Sequence, residues 1–280
     1  MATGIIRRHA APALALFALL ATSSPAATVT TDRLDLAMNM TFLGLTVGFV
    51  SLTAAPGNDG VVSRIELETV GLAKAITGFK GEVSGTSATD GLGDLTALAF
   101  DLWYESNRET RKVVLRYDGA GTVTELETFK RGELTPSDVP EDLRNATVDP
   151  LTAFVTLRQW LGEVRDSGPD RRVVPVFDGR RRYDLDARYV GRRPSAMIDG
   201  EMVLEMELRL VPIAGFNRTD GMANWSNEDR ENRFVLVLVS DDAALVPLVM
   251  RTAGASTISA SLRTTRACTG AGEPICRDYR

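Results

Sequence analysis

The sequence predicts a mainly β protein: a large curved antiparallel sheet or open β-barrel with one main α-helix at about residues 149–165. Three observations predict it. Leu34, Leu36, Met38, Met40 and Phe42 are apolar at strict period two, as in a strand with one buried face. Short apolar-rich runs of this kind recur along the 280 residues, separated by glycine- and proline-rich turn signals. One stretch, after Asp149-Pro150, instead repeats its apolar residues at helical spacing.

Residues 1–27 precede this pattern. Arg7 and Arg8 make a positive start, Pro12 to Ala21 is apolar but too short to span a bilayer, and Ser24-Pro25-Ala26 supplies the small residues of a cleavage site. The expectation is a signal peptide cut after Ala26 or Ala27, no transmembrane span and a periplasmic location. A single β-rich domain would then cover 28–280. Within it, residues 34–53 and 61–70 read as hairpin arms about the turn Ala55–Gly60, with shorter strands at 79–87, 95–104, 111–118 and 122–129. Residues 132–147 lose the periodicity around Pro136 and Pro140 and read as a surface loop. Asp149 fits an N-cap with Pro150 in the first turn. Leu151, Phe154, Val155, Arg158 and Leu161 follow as a stripe to pack on the sheet, with Trp160 on its flank. Strands follow at 173–177, 182–190, 202–212, 233–240, 246–251 and 256–264, with a polar loop at 215–232.

Composition excludes whole classes of chemistry. The one histidine, His9, lies in the expected signal peptide. The mature chain would therefore hold no Ser-His-Asp or Cys-His catalytic set, no histidine zinc site and no histidine pH switch. None of the four lysines (Lys74, Lys80, Lys112 and Lys130) stands three residues after a serine, and no glycine run has a phosphate-loop setting. No cofactor and no metal are expected. Loss of Arg7 and Arg8 lowers Lys+Arg from 32 to 30 against 37 Asp+Glu, a net charge near −7. Such a protein is poorly suited to nucleic acid or anionic lipid surfaces. Cys268 and Cys276 enclose a turn-like segment and read, in an oxidising compartment, as a disulfide stapling the C-terminal tail, 265–280.

Three carboxylate pairs, Glu125/Glu127, Asp184/Asp186 and Glu205/Glu207, stand at period two, about 7 Å apart on one strand face. Paired acids serve glycoside hydrolysis, but acids alternating with apolar residues describe a solvated sheet face. In the run Asp178-Gly179-Arg180-Arg181-Arg182-Tyr183-Asp184, three arginines at a hairpin offer a clasp for a phosphate or carboxylate headgroup. Alternation accounts for it too, with Tyr183 and Leu185 facing in and Arg182 and Asp184 facing out.

Four segments then stand in a familiar order. They are Asp149-Pro150-Leu151-Thr152-Ala153-Phe154 with Arg158, Val176 to Leu185 around Asp-Gly-x-Arg-x-Tyr, Pro212 to Phe216, and Leu245-Val246-Pro247-Leu248-Val249. With the Gly44–Gly48 turn, they resemble the exported proteobacterial envelope proteins of the domain-of-unknown-function family 3108, over most of 34–264. The resemblance implies a β-rich exported protein without assigned chemistry, shaped like the periplasmic lipoprotein carriers. Its pattern positions are Asp149, Thr152, Arg158, Asp178, Gly179, Arg182, Tyr183 and Pro247, with Gly179 permitting the turn and Asp149 and Arg158 fixing the helix to the sheet. The functional expectation is a non-enzymatic protein of envelope maintenance. It would bind a lipid or other apolar or amphiphilic ligand, or an envelope protein, in a concave sheet. Candidate ligand contacts are Arg158, Asp178, Arg180, Arg182 and Tyr183. The alternatives are a carboxylate-dependent hydrolase of envelope glycans and an interaction scaffold using the 132–147 and 215–232 loops.

Overall fold

The computed structural model describes residues 32–58, 60–90, 93–216, 234–253 and 260–279. The expected signal peptide and most of the expected 215–232 loop lie outside them. Eight strands come first: β1 (Arg33–Phe42), β2 (Leu45–Pro56), β3 (Gly60–Thr69), β4 (Lys80–Thr89), β5 (Leu95–Glu105), β6 (Thr110–Tyr117), β7 (Val123–Lys130) and the two-residue β8 (Glu133–Leu134). Each pairs antiparallel with the next. After the helix α2 (Pro150–Val164) a second meander runs through β9 (Asp170–Phe177), β10 (Arg182–Pro194), β11 (Met202–Ala214), β12 (Phe234–Ser240), β13 (Pro247–Ala253) and β14 (Ala260–Gly270). The two meanders join where β1 pairs antiparallel with β14. The result is one antiparallel sheet of 15 strands among the described residues, with β8 and β9 at the two ends of the order. It is an open sheet rather than a closed barrel.

That strand order dictates the position of α2. The chain leaves one edge of the sheet at β8 and re-enters at the other edge at β9, so the segment between them has to cross a sheet face. Asp149 starts the helix as expected, its carboxylate accepting from the backbone N–H of Leu151 and Thr152. Gly85 of β4 lets this end sit close, because a Cβ there would lie 3.2 Å from both Asp149 Oδ1 and Leu151 Cδ1. Three apolar clusters meet on the helix. Val155 joins Leu34, Leu36, Leu52 and Leu238, while Leu157, Leu161 and Val164 join Val176, Tyr189 and Leu204. Leu151 joins Phe100, Leu115 and Phe177. Trp160, expected on the flank, is buried, because β9 and β10 wrap that side and its Nε1 donates to Asp170 Oδ2 at 3.3 Å. β12 reads Phe-Val-Leu-Val-Leu-Val-Ser, and residues 236–240 are buried whichever face they point to, the pattern of a strand covered on both sides.

Several local expectations change. The arm expected over 34–53 is itself a hairpin, turning at Leu43-Gly44, with φ of +49° and +80°. Met40 and Phe42 are less buried than their alternation implies, and Phe42, next to the Leu43-Gly44 turn, is exposed; β2 carries a bulge at this end of the pairing. The short helix α1 (Gly71–Thr77) was not expected; Leu72, Ala75 and Ile76 stand at helical spacing in it, yet it buries no residue. Residues 132–147 run over the surface as expected and are mostly exposed, anchored at Val139 and Thr147. Val139 is fully buried beside Phe177, Arg144 Nε donates to Val139 O at 2.8 Å, and Thr147 Oγ1 donates to Arg144 O at 2.6 Å. At the C-terminus, β14 is a central strand rather than part of a tail, and β15 (Ile275–Asp278) pairs with its far end. Cys268 and Cys276 are directly opposite in that pairing and form a disulfide. No helix among the described residues is long and apolar enough to cross a membrane.

Candidate ligand-binding site

The concavity of the open sheet is filled by α2. What remains is a cavity of about 110 Å³ between α2 and β10–β13. The helix contributes Phe154, Leu157 and Leu161, and the strands contribute Leu185, Met206, Leu208, Val237, Val239 and Met250. Pro247, one of the family-pattern positions, also lines it, and Arg158 is the one charged residue in its wall.

Arg158 lies on the apolar stripe because its partner is a carbonyl of the opposing layer. Its Nε and Nη2 both donate to Ala244 O, at 3.0 and 2.5 Å. Ala244 belongs to the turn between β12 and β13, which Asp242 builds by accepting from Ala244 N, Leu245 N and Ser240 Oγ at 2.9, 3.1 and 2.8 Å. Burial pushes the Arg158 pKa down, against the pull of Asp32 and Asp242. An arginine remains charged through such a shift. The cavity therefore has an apolar body with one fixed cation in its wall.

The other sequence candidates form a separate group at the β9–β10 turn. Asp178 Oδ1 accepts from the backbone N–H of Arg180 and Arg181, at 2.9 and 2.7 Å, so this carboxylate builds the turn. Burial pushes its pKa up against those two hydrogen bonds. Gly179 has φ +85°, and a Cβ there would lie 2.3 Å from Val113 Cγ1, so the turn rests on β6. Tyr183 points into the core and meets Phe216 edge-on at 6.4 Å, with Arg181 over the same ring at 5.6 Å. Arg182, largely covered, pairs with Asp184 at 2.6 Å. Among the described residues no hydrogen bond or ion pair links Arg158 to this turn. The five candidate ligand contacts thus fall into two places.

Thr152 and Asp149 are buried together, with the Thr152 hydroxyl donating to Asp149 Oδ2. Burial pushes the Asp149 carboxyl up in spite of its hydrogen bonds. The carboxylate pairs seen in the sequence do not form acid–base dyads. Glu125 and Glu127 are exposed. Asp186 is held bidentate by Arg171, at 2.7 and 2.9 Å; Asp184 pairs with Arg182 and Glu205 with Arg193 through one contact each, and Arg188 approaches Glu207 at 4.0 Å. These strands carry a ladder of carboxylate–guanidinium pairs.

Sequence reasoning missed Arg111. It shares a face of β6 with Val113, Leu115 and Tyr117, all buried, so it stands at an inward register position. A charged residue in phase with that apolar series was the available signal. It is the structure that brings Arg111 toward the β9–β10 turn.

A family model described as "Protein of unknown function (DUF3108)" matches residues 37–255. No curated protein and no solved structure matches the chain. The match covers most of the chain, from β1 to the end of β13 and through both the cavity and the β9–β10 turn, and the chain belongs to this family of proteins of unknown function.

Proposed function

We propose that this is an exported, non-enzymatic protein of the cell envelope that binds the hydrocarbon end of an amphiphile between α2 and β10–β13. The observation that carries this reading is the lining of the cavity, apolar except for Arg158. Apolar walls favour apolar guests, and an enclosed apolar cavity of ~150 Å³ admits benzene. At about 110 Å³ the space suits the end of one alkyl chain rather than a whole lipid. Met206 and Met250 add adaptable walls. About four methylenes at ~0.8 kcal/mol each give roughly 3 kcal/mol, a millimolar dissociation constant.

Titration of the folded protein with sodium hexanoate, followed through the methionine methyl resonances, tests it. The Met206 and Met250 signals are expected to shift saturably in the millimolar range. Leu208→Trp and, separately, Met250→Phe fill the space and abolish the response. Saturable shifts that persist in both variants, or no shift in the wild type, overturn the reading. Export has its own readout. The protein is expected in the periplasmic fraction, beginning at Ala27 or Thr28; its absence from that fraction counts against export, and recovery of Met1 there counts against cleavage.

A further inference from the structure

The β9–β10 turn and the start of β6 bring Arg111, Arg180, Arg181 and Lys130 together around two acids, Glu109 and Asp178. Arg111 is 9% exposed. Its Nη2 lies 3.5 Å from Glu109 Oε1, while its Nε is buried with no hydrogen-bond partner. The contact of Gly179 with Val113 sets Arg180 beside the face of β6 that carries Arg111, two residues from Val113. The backbone of Arg180 is pinned on its other side by Gly215, where a Cβ would lie 2.1 Å from Arg180 O. Arg180 is only partly exposed, and among the described residues its guanidinium makes no hydrogen bond or ion pair.

The nearby acids are already engaged. Glu109 accepts from the Tyr104 hydroxyl at 2.6 Å and lies 3.5 Å from Arg111 and 3.7 Å from Lys130. Asp178 spends its Oδ1 on the turn. Burial, and then the neighbouring Arg111 and Arg181 guanidiniums, push the Arg180 pKa down. A guanidinium held against the repulsion of its neighbours, as that of Arg180 is, suits an oxyanion with several acceptor oxygens. The whole chain has a net charge of −5, so a diffuse positive field does not account for anion binding.

We propose that Arg111 and Arg180 bind a phosphate group at the junction of β6 and the β9–β10 turn. The site is separate from the cavity, and neither proposal depends on the other. The phosphate is either a free anion or the headgroup of an anionic lipid, and the chemistry of recognition is the same.

Titration of the folded protein with inorganic phosphate at constant ionic strength, followed by calorimetry, tests it. Saturable binding is expected, with Arg180→Gln weakening it about tenfold to a hundredfold, the effect of losing a charge-assisted contact. Arg266→Gln, at an exposed position of β14, leaves it unchanged. Without phosphate, Arg180→Gln is expected to be as stable to urea as the wild type, because it relieves repulsion, whereas a structural role would lower its midpoint. Flotation with phosphatidylglycerol vesicles, compared with phosphatidylcholine vesicles, distinguishes the sources. Flotation reversed by inorganic phosphate supports a lipid headgroup. Saturable phosphate binding without flotation supports a free phosphate. No saturable phosphate binding, or equal binding by Arg180→Gln, overturns the proposal.

Discussion

Gly179→Ala is expected to unfold with about 3 kcal/mol less free energy than the wild type. Two separate costs add at this position. Its φ of +85° lies in the left-handed region, which costs an L-residue ~1–2 kcal/mol. The new methyl would also stand 2.3 Å from Val113 Cγ1, and a β-branched side chain has little rotamer freedom to retreat, so overpacking adds ~1–3 kcal/mol. Urea denaturation followed by circular dichroism measures the loss. Because only the second cost involves Val113, Gly179→Ala/Val113→Ala should lose less than the two single changes together. Strict additivity would show that the turn does not bear on β6.

Asp149→Ala is expected to cost a similar amount, about 3 kcal/mol. Loss of an N-cap alone costs ~1 kcal/mol, and buried N–H groups left without an acceptor add ~1–3 kcal/mol. Asp149 is fully buried, so water cannot replace it at Leu151 N and Thr152 N. Asp149→Asn keeps an acceptor oxygen and should retain most of the stability at neutral pH. The two differ from each other with pH. Burial holds the Asp149 carboxyl above its unfolded value, so the native state binds the proton more tightly than the unfolded chain. Its contribution is fully present below the unfolded pKa and is lost as pH rises through the folded one. Wild-type stability relative to Asp149→Asn should therefore rise as the solution is acidified. The same denaturation repeated at neutral and mildly acidic pH checks the sign, and a difference that falls on acidification would contradict it.

The parts of the fold legible in the sequence were those where one local cause dominated. Asp149-Pro150 signals a helix start in any context, and α2 begins there. Val173–Phe177 and the Asp178-Gly179 turn into β10 follow from alternation and turn chemistry. What failed depended on partners remote in sequence. Trp160 could not be known as buried until β9 and β10 were placed beside it. Residues 132–147 are the surface loop they look like, but the packing of Val139 on Phe177 within it had no local sign. The candidate site divided for the same reason. Arg158 and Arg180 both read as arginines free to meet an anion. The partner of Arg158 is a carbonyl 86 residues away, while Arg180 lies beside Arg111, a residue whose inward register was the only local sign of it.

The seam between β1 and β14 sets the order in which this sheet can assemble. Neighbouring strands of each meander are close in the chain, so their hairpins form quickly. The seam is the opposite case: Thr41 and Ser261, 220 residues apart, share a hydrogen bond across it. A chain emerging from its N-terminus completes β1 first and β14 almost last. Until then one full edge of β1, with Leu34, Leu36 and Met38 beside it, offers unpaired backbone groups to any other extended segment. Closing so long a loop is slow, and the waiting edge is where misassembly competes. The demand for protection during biogenesis therefore falls on ten residues, Arg33–Phe42, that lie in the middle of the finished sheet.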